Sequence, residues 1–455
     1  MTASKRDRQL EVVEICAGAG GQTLGLERAG FRHRVAVELD ENAARTLRLN
    51  LQEVLGYGEK EAEDTVKVGD VAAPETWDAT EHKGVDLLAG GVPCPPFSVA
   101  GKQLGANDER DLFAWAIELC GEIQPNALLL ENVRGLSANR FTAYRQHVLD
   151  RLHEYGYIGD WKLLQANEFG VSQLRPRFVL VALKREFAEY FEWPTPFTEE
   201  PPTVGELLED LMAANGWEQD QVDAWVKRAD RIAPTIVGGS KKHGGADLGP
   251  TRAKRAWADL GVDAMGVRDE APEKGWRVPE GVPGPKLTTA MVARIQGWHD
   301  IEPPRNSEAT VADEFRWRFH GRKTSVYRQI GNAFPPPVAK ALGVSIRKAL
   351  LQEGERHTLL ENTDRILDPV YKLLRGFDRP LTIDQIIEKL AKRGTVLEQP
   401  DVERRLNHLG HDFAMTVTVR SSGAIAYSLG EFKAFTGQED HQRHDLFAQL
   451  RAKIS

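Results

Sequence analysis

The sequence predicts a doubly wound α/β fold, with an open, largely parallel sheet and helices on both faces. Three observations predict it. Short apolar, β-branched runs alternate with helical periodicity over roughly the first 180 residues, the pattern of strands joined by crossover helices. A glycine cluster follows the first of these runs, and acids close several of the others. In such sheets ligands bind beyond the C-terminal strand ends, where these residues fall. The strands read in order as "VVEICA", "RVAVELD", "VDLLAGG", "ALLLENV" and "RFVLVALK". Between the third and fourth, "RDLFAWAIELCGEI" sets Leu112, Ala116, Leu119 and Ile123 on one face, as a helix lying on a sheet requires.

A chain of 455 residues has material for about three domains. Its apolar and charged fractions, 41% and 28%, are those of an ordinary globular protein, and no apolar run has the length of a membrane span. The opening "MTASKRDRQL" carries charge with no apolar stretch behind it, so no secretory signal and no membrane are expected, and the expected location is the cytoplasm. Three cysteines, Cys16, Cys94 and Cys120, are too few for a disulfide framework and spell no zinc site. No metal is expected. The net charge of −8 argues against general coating of nucleic acid but leaves room for local basic patches. The Pro-rich, acidic "WPTPFTEEPPT" from Trp193 reads as a boundary. We divide the chain into a catalytic and cofactor-binding domain, 1–194; a recognition region, 195–285; the remainder of that region and a return to the first domain, 286–354; and an accessory module, 355–455.

The first chemical signal is "EICAGAGGQTLGLERAGF". Gly18, Gly20 and Gly21 between strand and helix let backbone approach a ligand, and a helix N-terminus favours polar or anionic groups. The dinucleotide fingerprint would want glycine at position 23, where this chain has Thr23, so NAD is disfavoured. Glu38 closes the next strand, where an acid accepts hydrogen bonds from a ribose, and Asp70 closes "VKVGD". Together they suit an adenosine cofactor; the plain alternative is a tight turn and solvated acids.

Cys94 lies in "GGVPCPPFSVAGKQ", just past a strand end. Pro93, Pro95 and Pro96 fix φ and bias their neighbours to extended conformations, so the thiol's direction is set before anything binds. Cys16 and Cys120 instead read as small apolar fillers. A thiol near pKa ~8.5 needs help to react at neutral pH. Glu131 in "LLLENVRG" ends the neighbouring strand, and the leucines before it predict a buried setting that raises a carboxyl pKa. In "QLRPRFVLVAL", Arg175 and Arg177 at alternate positions point to one side, suited to a carbonyl oxygen or phosphate. Capping and salt bridging are the plain readings of the acid and the arginines.

Taken in order from about Glu11 to Gly343, these motifs resemble the DNA cytosine-C5 methyltransferases of bacterial restriction-modification systems. "AGAGG" is similar to that family's S-adenosylmethionine loop, "PCPPFS" to its nucleophile motif, "ENV" to its acid motif and "QLRPR" to its arginine motif; "KLTTAMVARIQGW" and "QIGNAFPPPVAKALG" resemble its closing segments. The resemblance implies that Cys94 is the nucleophile, Glu131 the acid facing the base and Arg177, beside Arg175, a holder of a flipped base. It implies a cofactor site of Ala17, Gly18, Gly20, Gly21, Glu38, Asp70, Val71, Pro93 and Asn332, with S-adenosyl-L-methionine in it. Where the family often has Asp-Leu-Phe, this chain has Glu14, Ile15 and Cys16, so an aromatic contact to adenosine is missing.

The implied partner is double-stranded DNA, and a cognate restriction endonuclease in the same system. Ser98 and Lys102 lie in the loop after the nucleophile, expected to close over the base. Lys241, Lys242, His243, Arg252, Lys254 and Arg255 sit among flexible glycines and are expected to contact DNA. A tRNA methyltransferase and a catalytically silent DNA-binding module are the competing readings. Beyond residue 355 the resemblance ends; "LTIDQIIEKLAKRG", "VERRLNHLG" and "TVTVRSSGAIAYSL" read as two helices and a hairpin, a winged-helix-like module.

Overall fold

The computed structural model describes residues 8–93, 110–238, 245–298, 317–358 and 366–433. A seven-stranded sheet organises the chain as far as residue 350. Its strands are β1 Leu10–Ile15, β2 Phe31–Glu38, β3 Val66–Val68, β4 Leu87–Gly90, β5 Ala127–Val133, β6 Tyr157–Gln165 and β7 Pro176–Lys184. They lie in the order β3-β2-β1-β4-β5-β7-β6. The first five run parallel, while β7 is antiparallel to both β5 and β6. The α/β class holds, with two amendments: "RFVLVALK" reverses direction at the sheet's far side, and β6 joins as a strand the sequence did not announce, while β3 is the short strand of "VKVGD" that Asp70 closes. β6 is partly exposed and carries polar residues at several positions, which hid its period.

Alternation along each strand sends side chains to two faces. Val13, Ile15, Leu88, Leu128, Leu130 and Leu180 pack on one side with the helices Arg110–Ile123 and Thr142–Glu154. Val12, Leu87, Ala89, Leu129, Val179 and Val181 pack on the other with helix Pro336–Leu350, which returns the chain to the sheet. That helix lies against Gly21–Arg28 through small residues: a Cβ on Gly25 would stand 2.5 Å from Ala339 Cβ and from the Pro336 carbonyl, and one on Gly343 would stand 2.6 Å from Ala29 Cβ. Residues 204–330 bury Trp225, Trp257 and Tyr327 in a cluster that also takes in Ala17, Ala19 and Leu24 around the first glycine loop.

The C-terminal residues form helix Pro369–Arg375, β8 Leu381–Thr382, helices Ile383–Lys392 and Gln399–Asp412, then β9 Phe413–Val419 and β10 Ile425–Phe432. The three strands pair antiparallel in the order β8-β10-β9, so the two helices and the hairpin expected there are present with a further short strand. Tyr371 and Phe413 meet His147 of helix Thr142–Glu154 edge-on and Phe432 packs on it at a tilt, so this module shares the apolar core of one sheet face.

Candidate active site

β1 ends at Ile15, and the next residue, Cys16, takes a left-handed φ of 53°. This sharp exit feeds the glycine loop. Gly18 and Gly20 are also left-handed, at φ of 58° and 91°. A Cβ on Gly18 would meet nothing within 4 Å, so the loop leaves open space there, whereas one on Gly20 would strike the Trp317 ring at 2.6 Å. Trp317 donates its indole N–H to the Ala19 carbonyl (3.0 Å) and so clamps the loop from a distant part of the chain. A Cβ on Gly21 would lie 2.4 Å from the Phe334 carbonyl, which fixes glycine at the helix start.

Glu38 ends β2 beside this loop. Its carboxylate accepts from the Gly18 N–H (2.8 Å) and the Asp40 N–H (2.6 Å), and burial, with Asp40 nearby, pushes its pKa up despite those bonds. Leu39 next to it is 47% exposed, an apolar surface beside an acid. Asp70 follows β3 and accepts from the Ala72 N–H (3.0 Å), and the buried Val71 gives its carbonyl to Trp77. Ala17, Gly18, Gly20, Gly21, Glu38, Asp70 and Val71 therefore converge at the C-terminal ends of β1, β2 and β3. Asn332 ends helix Lys323–Asn332 against Gly238, where a Cβ would meet its Oδ1 at 2.3 Å. Cys16 packs against the core of one sheet face, as the filler reading expects, though it stands one residue past β1 rather than within it; burial, then Glu38, Asp70 and Glu14, push its thiol pKa up strongly. Cys120 is buried within its helix.

Between β4 and β5 lies a second cluster. Gly90 registers with Leu130, so the residues after β4 leave the sheet beside Glu131. A Cβ on Gly91 would stand 3.1 Å from Glu131 Oε1, and Asn132 donates to the Val92 carbonyl at 3.3 Å. Pro93 is exposed, and Cys94, Ser98 and Lys102 lie outside the described residues. Glu131 is 8% exposed, and its Oε2 has no hydrogen-bond partner among the described residues. Arg177 Nε stands 3.2 Å from that oxygen, close enough for an ion pair but without hydrogen-bond alignment. Burial raises the Glu131 pKa, and Arg177 and Arg175 oppose the rise only in part. A carboxyl so placed holds a proton more tightly than usual and faces the end of β4.

The two arginines differ in use. Arg177 registers with Val133 and faces Glu131. Arg175, just before the strand, is 1% exposed and spends both terminal nitrogens on the protein: Nη1 on the Ile236 carbonyl (2.6 Å) and Nη2 on the carbonyls of Gly331 (2.6 Å) and Ala333 (3.0 Å). This corrects the expectation that both guanidinium groups share one ligand. Arg175 ties the start of β7 to the segment at Ile236 and to the returning chain at Gly331 and Ala333.

The family of C-5 cytosine-specific DNA methylases matches residues 10–348. The chain belongs to that family. As a DNA cytosine-C5 methyltransferase it is 58% identical over 448 residues to the Type II methyltransferase M.NaeI of Lentzea aerocolonigenes, a match covering 98% of this chain and 100% of that protein. It is 47% identical over 349 residues to the Type II methyltransferase M.NgoMIV of Neisseria gonorrhoeae, covering 76% and 100%. Among solved structures, the methyltransferase EhMeth of Entamoeba histolytica is similar with a TM-score of 0.47 and 13% identity, over 76% of this chain and 99% of that one.

In this methylase the basic stretch expected to be a glycine-rich loop is partly helical. Residues Thr251–Asp259 form a helix that buries Trp257 and exposes Arg252 and Arg255, while Lys254 is drawn to Asp247 at 2.8 Å. Lys241, Lys242 and His243 lie outside the described residues. Sequence reasoning missed Trp317 and Leu39. A tryptophan far along the chain gives no sign of which loop it will cover; Leu39, next to a strand-end acid, was the readable one. No helix among the described residues is long and apolar enough to cross a membrane, and no group of three or more His, Cys, Asp or Glu among them is placed to hold a metal.

Proposed function

We propose that the enzyme transfers a methyl group from S-adenosyl-L-methionine to C5 of a flipped-out cytosine in a specific duplex sequence, as the modification half of a restriction-modification system. The observation that carries the mechanism is Glu131: a buried carboxyl with a raised pKa and an oxygen that accepts no hydrogen bond from the described residues, at the end of the strand next to the one that leads to Cys94.

The residues around the first loop fit the cofactor. Open space over Gly18, an acid at Glu38 for ribose hydroxyls, exposed Leu39 for the adenine face and Asp70 with Val71 at its edge make a polar and apolar cradle. Pro93 and Asn332 complete the proposed site. Bound there, S-adenosylmethionine supplies an electrophilic methyl group.

C5 of cytosine is too electron-poor to be methylated directly. Cys94 adds its thiolate to C6 while Glu131 protonates or hydrogen-bonds N3, which makes C5 nucleophilic; after methylation the C5 proton leaves and elimination restores the thiol. Arg177 orients Glu131 and the base, and Arg175 holds the frame behind them. The base must leave the stack to be reached, at a cost of a few kcal/mol. Lys102 and Ser98 of the following loop, and Lys241, Lys242, Arg252, Lys254 and Arg255 of the recognition region, supply phosphate and base contacts. A cognate endonuclease is the partner such an enzyme protects against; the two relatives named as Type II methyltransferases support that reading.

Bisulfite sequencing of plasmid DNA from cells expressing the protein tests the activity and identifies the site. Cys94→Ala is expected to abolish methylation while DNA binding persists; turnover by that variant would refute the covalent route. Methylation of tRNA in preference to duplex DNA would overturn the substrate.

A further inference from the structure

The helix Gln399–Asp412 buries Val402, Leu406 and Leu409 and turns its remaining face outward. It packs against helix Thr142–Glu154 and against the 3₁₀ turn Asn139–Phe141 that precedes it. The chain enters that turn eight residues after Glu131, at the C-terminal end of β5, so the C-terminal module packs on the segment that leads away from the candidate site.

Cations gather along this seam. Arg140 stacks on the Phe141 ring at 4.0 Å, and Arg134 is exposed on the preceding turn. From the helix, the Arg404 side chain is 62% exposed and ion-paired with Asp401, from which a phosphate would have to draw it, and His411 is exposed. His408, between them, has its pKa lowered by partial burial and by His411, Arg404 and Arg140, with Asp368 opposing. Arg405 points inward and is taken by Asp368 at 2.8 Å. The exposed acid Glu403 is bound by Gln399 at 2.8 Å. The recognition region packs on the opposite flank, with the helices beside β2 and β3. Short duplex DNA is stiff. A duplex laid over the mouth at Glu131 therefore continues past the site in both directions, and the seam beside the turns after β5 is the surface offered to one of them.

We propose that Arg134, Arg140, Arg404 and His411 form a second contact for duplex DNA, holding backbone phosphates in the flank beyond the target cytosine. The inference rests on the methyltransferase reading above and adds a role for the C-terminal module. Phosphate contacts carry no sequence information but fix position and are salt-dependent. Binding therefore depends on how far the duplex extends past the target.

The test compares the full-length enzyme and its R140Q/R404Q variant on duplexes of about 14 and about 40 base pairs centred on the cytosine that bisulfite sequencing identifies, the longer covering several more phosphates on each flank. The wild type is expected to prefer the longer duplex. In the variant that ratio falls several-fold, and the salt slope on the longer duplex becomes shallower by about two units, near one for each phosphate no longer neutralised. E403Q, which removes an acid from the same face, is expected to raise the ratio. Matching thermal unfolding of variants and wild type excludes misfolding as the cause. A wild type indifferent to length, or a double variant with unchanged ratio and slope, overturns the proposal. Failure of the wild type to methylate either duplex would instead overturn the function itself.

Discussion

Glu131 shows how one residue's surroundings set its chemistry. Burial outweighs the attraction of Arg177 and Arg175, so the carboxyl keeps its proton to higher pH than a solvated glutamate. Covalent trapping by a 5-fluorocytosine duplex is therefore expected to slow as pH rises through that raised value. Glu131→Gln should remove the pH dependence and lower trapping by roughly 10²- to 10⁴-fold, the usual worth of a positioned acid. Undiminished trapping in the variant would remove the assigned role. His33 makes a different kind of site. Burial alone would lower its pKa, but hydrogen bonds to Glu14 (2.8 Å) and Glu27 (2.7 Å) win and lift it to about 9. A folded-state pKa above the unfolded value near 6.5 means the stabilisation is complete below pH 6.5 and is lost as pH rises through 9. The melting temperature should fall across that window. His33→Gln should flatten the fall and cost about 3 kcal/mol, because Glu14 and Glu27 lose their buried counter-charge; a melting curve with the wild-type pH slope would contradict this.

Among elements, the contact between helices Gly21–Arg28 and Pro336–Leu350 decides how the returning chain meets the glycine loop. Gly25 and Ala339 allow close approach, with backbone of Lys340 only 2.7 Å from a Cβ at Gly25. Gly25→Ala would gain about 1 kcal/mol of helix propensity but force two backbones apart, at about 1–3 kcal/mol. We expect a net loss of stability and weaker S-adenosylmethionine binding, read by thermal unfolding with and without cofactor. An unperturbed melting temperature would show that the helices can relax apart. The small residues of "QTLGLERAG" and "VAKALG" are visible in the sequence, but their facing each other is not.

The described chain is built on the seven-stranded sheet, with the smaller three-stranded sheet of the C-terminal module attached to one of its faces. The C-terminal module shares its core: Tyr371 bonds His147 Nδ1 at 3.0 Å, Lys372 reaches Asp150 at 3.0 Å, and the Leu367 N–H is bound by Gln146 at 2.7 Å. Deleting residues 355–455 should expose Tyr144, Val148 and Leu149 and lower the melting temperature by several degrees, with aggregation on heating; an equally stable truncated protein would mark the module as an independent appendage. The shared core makes the module part of the fold as well as a candidate DNA contact.

The sequence by itself determined the α/β class, the glycine loop, the acids at strand ends and the order of the motifs, because these depend on local backbone demands and on residue type at short spacing. It also announced Glu131 as buried, since three leucines precede it. It did not disclose that β7 runs antiparallel, that Trp317 clamps the glycine loop, that Arg175 serves the frame or that the C-terminal helix packs on the turn that follows β5. Those depend on contacts between residues far apart in the chain, with no local pattern to encode them. Packing chose the partners, and only the tertiary structure shows which were chosen.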